Sequence, residues 1–128
     1  MSAENQSVSA GTDAEEIVLS FIKAMNDEDF EKAATYVTHD LLFVGVMGTR
    51  NGAESYFNDM KKMKFKYDIK KSIVEDNDVC LFYDIDMGGV TIFSCGWYQL
   101  EKGKIKSFRV IFDPRPLLEH IAKQSKSN

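Results

Sequence analysis

Residues 77–114 read NDVCLFYDIDMGGVTIFSCGWYQLEKGKIKSFRVIFDP, and the fold turns on this stretch. Val79, Leu81, Tyr83 and Ile85 alternate with Cys80, Phe82, Asp84 and Asp86, the period of two that sends successive side chains to opposite faces of a strand. Gly88-Gly89 supplies one tight turn and Lys102-Gly103-Lys104 a second, so three antiparallel strands follow one another. A sheet cannot bury its own face, and the helical segments upstream must therefore cover it.

Those segments are legible from their spacing. Ile17, Val18, Phe21, Ala24 and Met25 recur on one helical face, and the pattern ends at Asn26-Asp27. Thr12 and Glu15 form a T-x-x-E capping box, which places the helix start near Asp13. Asp27 is positioned to cap a second short helix carrying Phe30, Ala33, Ala34 and Val37, which His39-Asp40 ends. Residues 41–47 read as a short strand or extended arm, able to bend at Gly45 and Gly48. The turn Thr49-Arg50-Asn51-Gly52 opens a third helix through about Met63, with Tyr56, Phe57, Met60 and Met63 inside. Phe65, Tyr67, Ile69 and Ile73 form a strand that turns at Asp76-Asn77-Asp78 and pairs with the one beginning at Val79. Asp113-Pro114 stops the sheet ahead of a brief terminal helix with Leu117, Leu118 and Ile121. Helices gathered before a run of strands define an α+β fold, with a disordered lead over residues 1–11, one domain over 12–124 and a tail over 125–128.

Composition narrows the function classes. A 128-residue chain with 44% hydrophobic residues buries about two-thirds of its unfolded surface without staples. The net charge of −4 is dispersed, and no basic stripe exists to neutralise a phosphate backbone, which argues against nucleic acid. Apolar runs are too short for a bilayer, and the polar opening MSAENQSVSAGTD has no secretory pattern, so the expected location is cytoplasmic. Cys80 and Cys95 have no metal spacing and read as small apolar fillers; two isolated histidines do not make a metal site either, and no cofactor is expected.

Three stretches together, EEIVLSFIKAMNDEDFEKAATYVTHD (15–40), GVMGTRNGAESYF (45–57) and GWYQLEKGKIKSFRVIFDPRPLL (96–118), resemble the nuclear transport factor 2-like family and, within it, the SnoaL-like group. The resemblance implies a cone-shaped (cystatin-like) roll, three N-terminal helices packed on a strongly curved antiparallel sheet with an apolar cavity open at one end. The family holds isomerases, dehydratases, cyclases, epoxide hydrolases and non-enzymatic binders, so the fold does not name the activity. Ketosteroid isomerase uses a carboxylate base with a tyrosine and a protonated aspartate as oxyanion donors. By the resemblance these positions fall on Gly45, Phe21 and Gly96, none of which can exchange a proton or donate a side-chain hydrogen bond. The last-strand aspartate of the cyclases and epoxide hydrolases falls on Val110.

The Gly88-Gly89 hairpin sets Tyr83 opposite Ser94, Leu81 opposite Gly96 and Val79 opposite Tyr98 on the inner face. With Phe108, Val110 and Phe112 from the last strand, and Phe21, Met47, Tyr56, Tyr67 and Met60 reaching in, these residues make an apolar pocket with a few hydroxyls, suited to a small apolar or aromatic molecule. Phe82, Phe93, Cys80, Cys95, Trp97 and Ile111 fall on the outer face, with Val74 able to join them, and this apolar patch predicts a homodimer. Asp84, Asp86 and Arg109 then lie at its rim, unless a bulge swings the two aspartates inward. A second reading is an isomerase, polyketide cyclase or dehydratase with a non-standard set drawn from His39, Tyr83, Tyr98 or Asp84, and a third is a dimeric interaction module. His120 falls on the terminal helix, Arg50 is expected to pair with a carboxylate at its turn, and Asp113 to cap the last helix.

Overall fold

The computed structural model describes the backbone of residues 2–127 and the side chains of residues 13–124. Four helices and six strands follow in the order α1 (Ser2–Asn26), α2 (Phe30–Ala34), β1 (Val37–Gly45), β2 (Gly48–Asn51), α3 (Ala53–Met63), β3 (Lys66–Glu75), β4 (Asp78–Asp86), β5 (Thr91–Glu101), β6 (Lys104–Phe112) and α4 (Arg115–Ser127). One sheet runs β2-β1-β6-β5-β4-β3, antiparallel throughout except for the parallel pair β1–β6. The backbone of α1 begins at Ser2, upstream of the start expected near Asp13, while the side chains of residues 1–11, assigned to a disordered lead, and of Thr12 of the expected capping box lie outside those described. Glu15 instead accepts a hydrogen bond from the Ser72 hydroxyl at 2.7 Å, fastening α1 to β3.

The central register is the one the hairpin dictates. Tyr83 faces Ser94, Leu81 faces Gly96, Val79 faces Tyr98 and Phe82 faces Cys95, with no shift along β4–β5. Gly88 and Gly89 take φ of 79° and 106°, the left-handed values that favour glycine. Val18, Phe21, Ile22 and Met25 of α1 are buried against the inner face with Leu81, Tyr83, Tyr98 and Phe108. Each such side chain contributes roughly 1.5–3 kcal/mol relative to exposure. Asn26 joins helix to sheet through its amide, donating to the Tyr67 carbonyl at 2.9 Å and accepting from the Tyr67 N–H at 2.7 Å.

Four expectations need correction. Asp29, not Asp27, caps α2, its carboxylate accepting from the Lys32 N–H. The second helix stops at Ala34, and Val37, His39 and Asp40 lie in β1, where the Tyr36 carbonyl already bonds to the Ile105 N–H of the sheet. The arm over 41–47 is the end of a longer strand that turns at Val46-Met47 into β2. Finally, β3 shifts register between Ile69 and Lys71, so that Tyr67 and Ile69 share the inner face with Ser72 and Val74. That one-residue slip sends Ile73 outward and Val74 inward, the reverse of a regular strand.

Candidate functional site

Inside the sheet's curve the side chains close on one another. Phe21, Tyr56, Tyr98 and Phe108 are all at most 4% exposed, and the rings of Tyr98 and Phe108 stack at 4.7 Å. The Tyr83 and Tyr98 hydroxyls bond to each other at 2.7 Å, which satisfies two buried polar groups without water. Burial pushes the Tyr56, Tyr83 and Tyr98 phenols well above their ordinary value and Tyr67 to about 12, so all four are neutral near pH 7. Ser94, 2% exposed, donates to the Ile92 carbonyl.

Gly45 and Gly96, on which the resemblance set a base and an aspartate, lie close against neighbouring side chains. A Cβ at Gly96 would lie 2.2 Å from the Tyr83 hydroxyl oxygen and 2.8 Å from Tyr98 Cε1. One at Gly45 would meet Phe43 Cζ at 2.9 Å. Gly96 has no room for a side chain between two buried rings, a side chain at Gly45 would have to displace the Phe43 ring, and Phe21 and Val110 are core residues.

Open space lies further out, at the mouth of the curve. A cavity of about 390 Å³ runs between the β1–β2 hairpin, the end of α3, the β4–β5 turn and the inner side of α4. Phe43, Met47, Met60, Met63, Met87 and Phe112 line it, with Leu117 and Ile121 contributed by α4. Small-molecule sites commonly span about 300–1,000 Å³ with mostly apolar walls and a few polar groups. Here the polar groups are Arg50, Asp59, His120 and Gln124. Arg50 Nε donates to Asp59 Oδ2 and Nη1 to the Thr49 carbonyl at 3.0 Å, tying β2 to α3. His120 Nε2 lies 3.0 Å from the Gly88 carbonyl oxygen. A carbonyl only accepts, so Nε2 carries the hydrogen and Nδ1 is the ring's remaining polar atom.

The sequence-derived candidates therefore separate. Met47 and Phe112 line the cavity, whereas Phe21, Tyr56, Tyr83, Ser94, Tyr98, Phe108 and Val110 are buried in the core behind it, with Tyr67 half-buried beside them. His39 is exposed on β1 and does not line the cavity. Asp84 points outward beside Lys70 at 3.7 Å, and Asp86 accepts from the Gly89 N–H, so the swing that a bulge would cause does not occur on β4. On that outer face Phe93, Trp97, Ile111 and Ile73 are exposed, Phe82 stacks on Phe93, and Cys80 and Cys95 are free thiols. Burial raises both thiols, which keeps them protonated. Asp113 accepts from the Arg115 N–H at the start of α4 and pairs with its guanidinium. Asp59 had no signal in sequence and His120 only that of an isolated histidine on the terminal helix, because only the docking of α4 and α3 brings them to the hairpin. Among the described residues no cluster of histidine, cysteine or carboxylate side chains is disposed to hold a metal.

An α+β roll with helices on the hollow side of a curved sheet and a cavity at its open end defines the class. Residues 18–108 match the SnoaL-like domain, and the chain belongs to that family within the nuclear transport factor 2-like superfamily. A nuclear transport factor 2-like protein of unknown function from Cytophaga hutchinsonii ATCC 33406 is 52% identical, with a TM-score of 0.81 over 82% of this chain and 94% of that one. An LEH-like epoxide hydrolase from M. tuberculosis (20% identity, TM-score 0.75, 88% and 92% covered) shares the fold. So does TerC, co-crystallised with polyporic acid (16% identity, TM-score 0.74, 84% and 96% covered). No curated protein matches. No helix among the described residues is long and apolar enough to cross a membrane.

Proposed function

We propose that this chain binds a small apolar or aromatic molecule in the cavity at the mouth of the roll. The observation that carries the reading is the cavity itself, about 390 Å³ of apolar-walled space beside an otherwise close-packed interior. Four of its lining residues are methionines, whose unbranched, polarizable side chains adapt to varied ligand shapes and make favourable contacts with aromatic rings. Titration with N-phenyl-1-naphthylamine tests it. Fluorescence should saturate at one probe per chain and weaken when Leu117→Asp places a charge in the wall, while Ile111→Ser on the outer face leaves it intact. Failure of the probe to saturate contradicts the reading.

The cavity also supports an enzyme reading, because His120 Nδ1 and the Arg50–Asp59 pair place proton-transfer and charge-stabilising groups in its wall. Turnover whose pH dependence disappears in His120→Gln would favour it. The exposed Phe93, Trp97 and Ile111 support a homodimer through the outer face, since a patch of this kind is costly in water. A cytoplasmic location is consistent with two cysteines kept as thiols.

A further inference from the structure

Among the described residues, Arg50 and Asp59 form an ion pair in the cavity wall that has hydrogen-bonding capacity left over. Asp59 takes the Arg50 Nε hydrogen on Oδ2, and Nη1 is committed to the Thr49 carbonyl. Among the described residues no protein acceptor is paired with Nη2 and no protein donor with Asp59 Oδ1, and both side chains, about one-third exposed, line the cavity. The pair thus keeps one charged donor and one charged acceptor for a ligand, with its net charge cancelled. A carboxylate bound to Nη2 would sit beside the Asp59 carboxylate, and like charges at such range disfavour each other. A neutral hydroxyl faces no such repulsion, because one oxygen both accepts from the guanidinium and donates to the carboxylate. The other polar groups do not change this preference: His120 has its Nε2 hydrogen on the Gly88 carbonyl, and Gln124 carries no charge.

We infer that Arg50 and Asp59 together select a neutral hydroxylated ligand, an alcohol or phenol on an apolar body, over its carboxylate and its unsubstituted hydrocarbon counterparts. This rests on the cavity being a binding site and adds which chemistry it takes. A site built to hydrogen-bond a ligand hydroxyl rejects the analogue that lacks one, because its own polar groups are then left unpaired.

Binding of naphthalene, 2-naphthol and 2-naphthoate to the full chain, followed by calorimetry, tests the inference. The hydroxyl should tighten binding by about tenfold or more over naphthalene, as a hydrogen bond to charged groups requires, and 2-naphthoate should bind more weakly than 2-naphthol. In Arg50→Met and in Asp59→Asn the 2-naphthol to naphthalene affinity ratio should fall towards one. Equal affinities in the parent chain, a preference for 2-naphthoate, or a ratio that survives both substitutions would overturn the assignment while leaving the cavity as a binding site. No binding of any of the three would overturn the cavity reading itself, and this inference with it. Should Arg50→Met not fold, the ranking in the parent chain and the Asp59→Asn ratio still decide.

Discussion

Replacing Gly96 by alanine adds one methyl group at the most crowded point of the sheet. Its Cβ would stand 2.2 Å from the Tyr83 hydroxyl oxygen, 2.8 Å from Tyr98 Cε1 and 3.0 Å from Tyr83 Cζ. Neither ring has free space to move into, since Tyr83 and Tyr98 are 0% and 1% exposed and their hydroxyls are bonded to each other. Overpacking a filled core costs about 1–3 kcal/mol. Leaving a buried hydroxyl unpaired adds about 1–3 kcal/mol. The lower backbone entropy of alanine in a strand returns roughly 0.5–1 kcal/mol, so the net loss is about 1–5 kcal/mol. With a urea dependence of about 2 kcal/mol per M, the unfolding midpoint should drop by about 0.5–2.5 M at an unchanged slope. Removing the clashing oxygen tests the cause: Gly96→Ala combined with Tyr83→Phe should lose less than the two single variants summed, by about 1 kcal/mol or more. An unchanged midpoint in Gly96→Ala, or strict additivity in the double variant, would refute the reasoning.

The outer face and the tyrosines give two further tests. Trp97→Glu, placed among Phe93, Ile111 and Arg109 on the outer face, should convert the proposed dimer to monomer in sedimentation equilibrium; a dimer that persists would place any self-association elsewhere. Burial lifts Tyr67 to about 12 and holds Tyr56, Tyr83 and Tyr98 well above an ordinary phenol value of 10.0. Raised folded-state values mean that these groups' stabilisation is complete below the unfolded pKa and is lost as pH climbs through the folded ones. Phenolate absorbance of these four should therefore rise together with loss of the fold in one cooperative step, and a gradual titration near pH 10.0 in a folded chain would contradict their burial.

The sheet's centre was readable because alternation and a glycine turn act locally. Val79 to Ile85 and the Gly88-Gly89 hairpin determine which residue faces which across β4 and β5, and the observed pairs follow. The β3 slip was not readable, because no glycine or proline marks it; Ile69, Lys70 and Lys71 resemble any strand, and only pairing with Tyr83 and Phe82 shows the extra residue. Likewise Val37 continues the helical spacing of Phe30, Ala33 and Ala34, and tertiary pairing with Ile105 draws it into β1 instead. Inward-facing residues could be named from sequence, but how completely they fill the interior could not. That depends on the Tyr83–Tyr98 bond and on the rings that press against Gly45 and Gly96. The cavity's position depends on three segments distant in the chain, the hairpin at Gly45–Gly48, Met60 and Met63 of α3, and α4, which only the folded chain assembles.

The methionines offer the most direct measurement of the central claim. Met47, Met60, Met63 and Met87 line the cavity, whereas Met25 of α1 is 2% exposed in the core. With methionine methyl groups labelled with ¹³C, titration with 2-naphthol should shift those four resonances along one saturating curve and leave Met25 unmoved. No saturable shift, or a shift led by Met25, would contradict a binding site at the mouth of the roll.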